Sequence, residues 1–443
     1  MHYWHAVLAF VVAAAIAAAV TPLVARFARS IGVVDVPRER GLAARATPLL
    51  GGLAILAAVL ICAAIWMPHT IHLPRAPHSG GTSSHVDTLA LMGGAVLIAL
   101  VGALDDIFDL PPLVKLLGQV AAAVIAVEAG AVVTDVTIPF IGALQFPNTG
   151  GVLTVIWLVA LMNMINFSDG VDGLAAGLTA IDGVAFAIIA FNLGVSGAAV
   201  LAALTAGAAL GFLVHNFHPA SVFMGDAGAN LLGYLLGVVA VVGSLKTNAV
   251  VALLVPFVIL AVPVLDTAFV VAKRLKYGRM PWSADANHFH HRMARIGFSQ
   301  RKTVAYLYAW TALLALLAVG MRVLPIHRHN HYSDGWFALL VVLALVALAF
   351  SVYLVVVLEI FKFRGPKPEA GPGQGAPPPD LSAMPDAEVP DTGTIDAGRR
   401  EPGPDRSGAH DAGREAGPDR PAPRAGRADR EDDVETGEFT RVR

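Results

Sequence analysis

The sequence predicts an all-α fold: a polytopic membrane helix bundle of about 11 transmembrane helices, followed by a disordered cytoplasmic tail. Three observations lead to this prediction. Of the 443 residues, 56% are hydrophobic and 14% are charged, a balance typical of membrane proteins. Apolar runs long enough to cross a bilayer recur up to Gly365. Beyond that point large apolar side chains are almost absent, so no core can form there.

The apolar runs define the candidate spans, each of which needs roughly 17–25 mostly apolar residues. The first run has no Lys or Arg before it and further spans after it, so we expect a first span and not a cleaved signal peptide. The eleven candidate spans lie at about 5–26, 48–67, 88–104, 112–129, 151–166, 172–192, 196–215, 228–243, 248–272, 302–321 and 336–361.

The charge balance separates two regions. Residues 1–365 hold 20 Lys and Arg against 16 Asp and Glu, a net charge of +4, and form the predicted membrane domain. Residues 366–443 hold 11 against 17, a net charge of −6, and are rich in Pro, Gly, Asp and Arg. This composition predicts a disordered tail. The single cysteine, Cys62, excludes a disulfide framework within one chain.

Basic residues near the span ends predict the orientation, because cytoplasmic loops carry the excess of Lys and Arg. The loops after the first and ninth spans hold thirteen Lys and Arg, and both fall on the same side of the membrane. The opposite loops hold only four: Arg75, Lys246, Arg322 and Arg328. We therefore expect the N-terminus outside, and the two basic loops and the tail in the cytoplasm.

Six of the 16 acids in the membrane region follow spans that end on this cytoplasmic side. They are Asp105, Asp106, Asp109, Asp169, Asp172 and Asp226. The acids played no part in setting the orientation, so their convergence on one face supports both inferences. A transporter would instead place such groups near the bilayer midplane, where Asp182 is the best candidate.

The stretch from Asn163 to Ala175 reads N-x-x-N-x-x-D-G-x-D-G-L-A between long apolar runs. Burying a carboxylate in hydrocarbon costs on the order of 3 kcal/mol even on permissive scales. Asp169 and Asp172 are therefore predicted to face water or a polar pocket, beside Asn166. Two interpretations stay open: a polar inter-helix loop, or a membrane-surface site that handles an anionic substrate through a metal or hydrogen bonds.

Two further motifs carry acids. In the first, Asp105 and Asp106 precede Lys115 and Gln119, which share a helix face at a spacing of four. Acids beside a lysine are suited to bind a metal and a phosphate. The alternative is that this stretch is a solvated helix end. Asp226 lies in a glycine-bracketed loop at the start of a helix, where a carboxylate can hold Mg²⁺. Phe223, three residues earlier, could stack on a base or simply pack.

A histidine motif lies in the second basic loop. His288, His290 and His291 fall within four residues, a spacing compatible with a transition-metal site. Arg292 and Arg295 are close by, and their charges would repel a metal. We favour anion binding by the histidines and Arg292, with a structural role for one histidine.

Together these motifs resemble the polyprenyl-phosphate N-acetylhexosamine-1-phosphate transferase family over roughly residues 30–310. Their order along the chain is the order in that family. Asp105 and Asp106 match its paired-aspartate motif, and its remaining motifs match further residues. These are Lys115, Gln119, Asn163, Asn166, Asp169, Asp172, Asn216, Phe223, Asp226, His288, His290 and His291. The H-x-H-H motif is more similar to the N-acetylglucosamine branch than to the muramoyl-pentapeptide branch.

The resemblance implies transfer of N-acetylglucosamine 1-phosphate from UDP-GlcNAc to a polyprenyl (undecaprenyl or decaprenyl) phosphate, with release of UMP. It implies Mg²⁺, for which Mn²⁺ can substitute, held mainly by Asp226. Asp105 and Asp106 would position the lipid phosphate or assist its deprotonation, and Phe223 would stack on uracil. The asparagines, Asp169 and Asp172 would hold nucleotide or metal, and the histidine loop would grip the sugar or the diphosphate.

The expected partners are thus a UDP-sugar, a polyprenyl phosphate lipid and the membrane bilayer, with no nucleic acid; a homodimer is left open. The first cytoplasmic loop departs from the family pattern. Gly41 and Ala43 stand where the family usually has Lys and His, and Leu49 stands where an arginine is usual. A catalytically altered member that binds lipid phosphate is therefore one alternative, and a transporter is a second.

Overall fold

A computed structural model of the chain describes residues 3–35, 46–73, 85–133, 135–138, 142–146, 149–243, 256–276, 293, 297–324, 327–328, 331–332 and 334–357. Within these residues the structure contains eleven helices of 15 residues or more. They are α1 (Tyr3–Ser30), α2 (Gly52–Trp66), α3 (Thr88–Phe108), α4 (Pro112–Glu128), α5 (Gly150–Ser168), α6 (Leu174–Asn192), α7 (Ser196–Asn216), α8 (Gly225–Gly243), α9 (Ala261–Lys276), α10 (Gln300–Val323) and α11 (Asp334–Val357).

Each of these helices overlaps one predicted span, although the ninth span was predicted to begin at residue 248 and α9 begins at Ala261. Among the described residues, eight helices have at least 18 residues and are apolar enough to cross a membrane, whereas α2, α4 and α9 are shorter. The prediction of an all-α, multi-pass membrane protein is confirmed. The predicted tail, residues 366–443, lies outside the described residues, so the domain boundary stays a prediction.

Short antiparallel hairpins connect several helices. The four described pairs are β1 (Val34–Asp35) with β2 (Thr47–Pro48), β3 (Thr70–His72) with β4 (His85–Asp87), β5 (Asp135–Ile138) with β6 (Gly142–Gln145), and β7 (His327–Arg328) with β8 (His331–Tyr332). Each pair joins two strands only, so the sheet content is minor.

Helix α8 occupies the centre of the bundle, and all its residues from Ala227 onward are buried. Glycines bring its neighbours very close. A Cβ at Gly52 on α2 would collide with the backbone of Gly228, and one at Gly102 on α3 would collide with Ala227. Without a hydrophobic force between helices in lipid, such close contacts hold a membrane bundle together. They also place the first turn of α8 against α2 and α3.

Candidate active site

Four helix ends meet at one end of the bundle. Asp105 and Asp106 lie in the last turn of α3, Lys115 in the first turn of α4, Asn166 in the last turn of α5, and Asp226 in the first turn of α8. The residues come from three separate sequence motifs, so only the tertiary fold brings them together. They are predicted site residues, and the contacts below connect all five.

The carboxylate of Asp106 caps helix α8. Its Oδ1 accepts the backbone N–H of Asp226 at 2.9 Å, and its Oδ2 accepts that of Ala227 at 3.2 Å. The first N–H groups of a helix lack partners within the helix, and negative charge there is favourable. Gly225 adopts a φ of +68°, and a Cβ at this position would collide with the Asp106 carboxylate. Glycine is therefore required here.

Lys115 stands between two carboxylates. Its Nζ lies 2.5 Å from Asp105 Oδ2 and 3.3 Å from Asp226 Oδ2. Asp105 is almost fully buried, and its Oδ1 accepts the backbone N–H of Leu110 at 2.8 Å. The lysine side chain is 33% exposed, so the ion pair is open on the side of Lys115. One cation thus joins α3, α4 and α8.

The site nevertheless carries an excess of negative charge. Asn166 donates its Nδ2–H to Asp226 Oδ1 at 2.9 Å, and Asp169 follows three residues later. Burial raises the pKa of Asp169 well above its ordinary value, and the charges of Asp226, Asp106 and Asp172 raise it further. Lys115 cannot neutralise this group of acids alone.

A chain of amides supports Asp226 from beneath. Asn230 donates to the backbone carbonyl of Asp226 at 2.9 Å, Gln119 donates to Asn230 Oδ1 at 2.9 Å, and Asn163 donates to Gln119 Oε1 at 2.8 Å. Asn163 thus reaches Asp226 only through two intermediates. Asn230 was not among the predicted site residues, although its spacing of four from Asp226 places both on one helix face.

Asp172 contacts a neighbouring loop. Its Oδ2 lies 2.8 Å from His218 Nδ1 and accepts the backbone N–H of Ala220 at 3.1 Å. The loop continues directly into the Phe223–Asp226 motif. Asp172 therefore holds the segment that leads to Asp226. His218 was not among the predicted site residues.

Asn216, at the end of α7, joins the same two segments. Its Oδ1 accepts the backbone N–H of Gly173 at 3.0 Å, and its Nδ2 donates to the carbonyl of Val222 at 3.0 Å. The side chain is only 2% exposed, so it acts as an internal cross-link. Its described contacts are with backbone, which indicates a structural part in the site.

Phe223 lies beside the segment that precedes α2. Its N–H donates to the carbonyl of Pro48 at 2.9 Å, and its carbonyl accepts the N–H of Gly51 at 3.0 Å. The ring is half-buried and packs against an apolar cluster that includes Leu49 and Leu50. Leu49, which stands where the family usually has an arginine, is buried in this cluster.

Several predicted residues lie outside the described part of the chain. They are Gly41 and Ala43, which depart from the family pattern, and His288, His290, His291 and Arg292. The binding roles of the three histidines and Arg292 stay predictions.

Comparison with known proteins places this geometry in a family. Residues 88–244 match the family model described as Glycosyl transferase family 4. Over 323 residues, 71% of this chain and 85% of the relative, the chain is 33% identical to the probable undecaprenyl-phosphate N-acetylglucosaminyl 1-phosphate transferase of Bacillus subtilis strain 168. The chain belongs to glycosyl transferase family 4.

Other family 4 relatives have similar names. Identity is 36%, over 64% of this chain and 74% of the relative, with the decaprenyl-phosphate N-acetylglucosaminephosphotransferase of Mycolicibacterium smegmatis. The chain is 27% identical, over 74% of its own length and 84% of the relative's, to the undecaprenyl-phosphate alpha-N-acetylglucosaminyl 1-phosphate transferase of Escherichia coli K12. The segment that matches the family 4 model begins at α3 and ends just after α8, so it contains the hydrogen bonds and the ion pair described above for Asp226.

The donor set around Asp226 fits a hard divalent cation. Carboxylate oxygens are the ligands that Mg²⁺ prefers, and it usually binds one or two carboxylates together with waters and substrate phosphates. In the described part of the chain, no group of three or more His, Cys, Asp or Glu is arranged to hold a metal alone. A carboxylate beside Lys115 has the chemistry of a cation site that a substrate phosphate would complete.

Proposed function

We propose that this family 4 member transfers N-acetylglucosamine 1-phosphate from UDP-GlcNAc to a polyprenyl phosphate and releases UMP. It would act at the first membrane step of cell-envelope glycopolymer synthesis. The observation that carries the proposal is the set of contacts among Asp105, Lys115, Asn166 and Asp226 at one bundle end. The relatives' names supply the substrates: a polyprenyl phosphate and an N-acetylglucosaminyl phosphate donor.

The site belongs at the cytoplasmic surface. The distribution of Lys and Arg predicts that the ends of α3 and α5 and the starts of α4 and α8 face the cytoplasm, with the N-terminus outside. A nucleotide sugar is soluble, whereas a long isoprenoid must stay in the bilayer. A site at this boundary can be reached by both substrates.

Exposed apolar side chains flank the carboxylates on α3 and α4. Leu104 and Phe108 are exposed beside Asp105, and Leu113 and Leu117 are exposed on either side of Lys115 in sequence. In a membrane protein such side chains face lipid. A polyprenyl chain could therefore lie along α3 and α4 with its phosphate near Lys115.

The reaction is a phosphoryl transfer between two anions. A phosphate oxygen of the lipid attacks the sugar-bearing phosphorus, a new P–O bond forms, and the bond to the UMP oxygen breaks. A phosphomonoester has a second pKa near ~6, so this nucleophile is already largely ionised and a general base contributes little. The main requirement is to hold the two phosphates together against their repulsion.

The residues at this site are placed to bind the two phosphates close together. Asn166 and Lys115 fix the two oxygens of Asp226, and Asp106 fixes the helix that carries it. When bound, Mg²⁺, for which Mn²⁺ can substitute, would be held by Asp226 and would supply positive charge that offsets the carboxylates and the substrate phosphates. Lys115, the other cation of the site, would contact the lipid phosphate.

The contact with Lys115 gives Asp105 a role that the sequence did not predict: it would orient Lys115 toward the lipid phosphate that Asp105 and Asp106 were predicted to position. As predicted, Asp169 would hold nucleotide or metal, and Phe223 would stack on uracil. His288, His290, His291 and Arg292 would bind the sugar or the diphosphate.

The purified protein tests this proposal directly. UMP release should require UDP-GlcNAc, a polyprenyl phosphate and Mg²⁺ together, and the lipid product should carry N-acetylglucosamine through a diphosphate. UDP-N-acetylgalactosamine and UDP-glucose serve as donor controls. Lipid-phosphate binding without UMP release from any of these donors would contradict the proposal and favour a catalytically altered family member.

A further inference from the structure

Gly173, the residue after Asp172, is held from two sides. Its N–H donates to Asn216 Oδ1 at 3.0 Å, and its carbonyl accepts the phenol O–H of Tyr308 at 2.5 Å. Gly173 is the N-cap of α6 and has a φ of +80°, a conformation that favours glycine. The turn that carries Asp172 is thus fixed by α7 on one side and by α10 on the other.

The ring of Tyr308 fits into a notch in α6. A Cβ at Gly177 would lie within 2.4 Å of three atoms of the tyrosine side chain, so only glycine admits the ring at this place. The ring also packs against the apolar cluster that contains Leu174 and Leu178. The hydroxyl is therefore delivered to Gly173 by a shaped contact over the first turn of the helix.

A second contact joins α10 to the other loop of the site. Arg301, in the first turn of α10, donates to the carbonyl of His218 at 3.4 Å, and His218 contacts Asp172. Helix α10 lies outside the segment matched by the family model and follows the predicted histidine loop. It nevertheless reaches both segments that meet at Asp172.

We propose that Tyr308 is a positioning residue that holds the Asp172–Gly173 turn in the conformation that binds the nucleotide sugar. This inference rests on the proposed function, because it assigns the turn to the UDP-sugar side of that reaction. The turn supports the loop that leads to Phe223 and Asp226, whereas the proposed lipid path follows α3 and α4. Loss of the hydroxyl should therefore weaken the use of the nucleotide sugar and leave that of the lipid unchanged.

Tyr308→Phe removes the hydroxyl alone and should fold. The Gly173 carbonyl also accepts the N–H of Gly177 at 2.9 Å, so the first hydrogen bond of α6 stays in place. A neutral hydrogen bond contributes roughly 0.5–1.5 kcal/mol, which corresponds to a 2- to 13-fold effect. We expect the KM for UDP-GlcNAc to rise by about that factor, with an unchanged KM for the polyprenyl phosphate.

Tyr306→Phe is the matched control. Tyr306 lies on the same helix, and its ring packs against Phe298 and Phe350, contacts that phenylalanine retains. Both variants are compared with the unaltered protein by steady-state UMP release and by hydrogen exchange of the peptides that cover residues 169–178. Faster exchange and a higher nucleotide-sugar KM in Tyr308→Phe alone are the expected result.

Two outcomes overturn the inference. In the first, Tyr308→Phe has the same exchange rates and the same two KM values as Tyr306→Phe. In the second, Tyr308→Phe raises the KM for the lipid and not that for the nucleotide sugar. If the unaltered protein releases no UMP, the proposed function fails on its own. Hydrogen exchange, which needs no turnover, still tests whether Tyr308 holds the turn. An unchanged exchange rate would then reject the positioning role.

Discussion

The carboxylate of Asp106 receives the backbone N–H of Asp226 at 2.9 Å, although the two residues are 120 positions apart in the chain. The pair belongs to different motifs, and the bond joins the end of α3 to the start of α8. The orientation of Asp226 toward Lys115 and Asn166 thus depends on Asp106, a side chain that was predicted to position the lipid phosphate. Mutations can separate the structural role of Asp106 from its role in the chemistry.

Asp106→Ala should lower both stability and activity, because the first turn of α8 loses its acceptor. Loss of an N-cap costs about 1–2 kcal/mol. Asp106→Asn keeps one acceptor oxygen and should fall between the wild type and Asp106→Ala in both measurements, thermal melting in detergent and UMP release.

Asp87→Ala is the control, because it removes a helix cap that lies outside the proposed active site. Asp87 accepts the N–H groups of Leu89 and Ala90 at the other end of α3. This variant should melt earlier while its folded fraction keeps normal turnover. If Asp106→Asn melts like the wild type but is as inactive as Asp106→Ala, the carboxylate takes part in the chemistry itself.

The transmembrane helices were predictable because a bilayer allows few alternatives. Every backbone polar group in lipid must be paired within the element, so a long apolar run has to be helical. The predicted span 196–215 and the observed α7, Ser196–Asn216, agree within one residue. The predicted span 228–243 began three residues late, because Asp226 lies inside the first turn of α8, where Lys115 and Asn166 contact its carboxylate.

The contacts within the site were less predictable, because they depend on pairings between distant segments. The sequence brought Asp105, Lys115, Asn166 and Asp226 to one face, but nothing in it indicated that Lys115 bridges two of these acids. Asn230 had only a helical spacing as a signal. Tyr308 had none, since an aromatic residue in an apolar helix is usually a packing residue.

Asp226→Asn should abolish turnover and leave the fold intact, because the change removes charge at a site that is 27% exposed and preserves its shape. We expect kcat to fall on the order of 100-fold or more, the scale for a lost electrostatic group in an active site. Asp334→Asn, an exposed acid in the first turn of α11, is the matched control. Turnover near that of the control at limiting Mg²⁺ would reject Asp226 as the metal ligand.

The amide chain predicts a coupling between α4 and α8. Asn230→Leu should leave the Nε2–H of Gln119 without its buried partner and cost about 1–3 kcal/mol. Adding Gln119→Leu removes the stranded donor, so the double variant should recover part of the lost melting temperature. Strictly additive losses in the double-mutant cycle would show that the two amides do not support each other.

Asp169 predicts a pH dependence of stability. Its pKa is raised above the ordinary value of 3.8, so above that value the folded protein retains a proton that the unfolded chain releases. This group therefore reduces stability as the pH rises. In the metal-free protein Asp169→Asn should melt at a higher temperature than the wild type at neutral pH, and the gap should narrow toward pH 4. A gap that widens on acidification would contradict the assigned cause.

Phe223 allows a test of how the two substrates are arranged around Asp226. A base stacked on its ring would lie one short loop from the carboxylate, about the reach of a ribose. Stacking of a base on an aromatic ring is worth roughly 1–3 kcal/mol. Phe223→Ala should therefore raise the KM for UDP-GlcNAc about 5- to 160-fold by that same energy, with a smaller change in kcat.

The ring also packs against Leu49 and Leu50, so truncation to alanine removes packing as well as stacking. Phe223→Leu is the matched control, because it restores apolar volume but offers no aromatic face. If stacking is the main contribution, both variants should raise the nucleotide-sugar KM, and only Phe223→Ala should lower the melting temperature. A leucine variant with normal nucleotide-sugar affinity would make Phe223 a packing residue. Loss of lipid affinity instead would place the ring beside the polyprenyl chain and reverse the proposed arrangement.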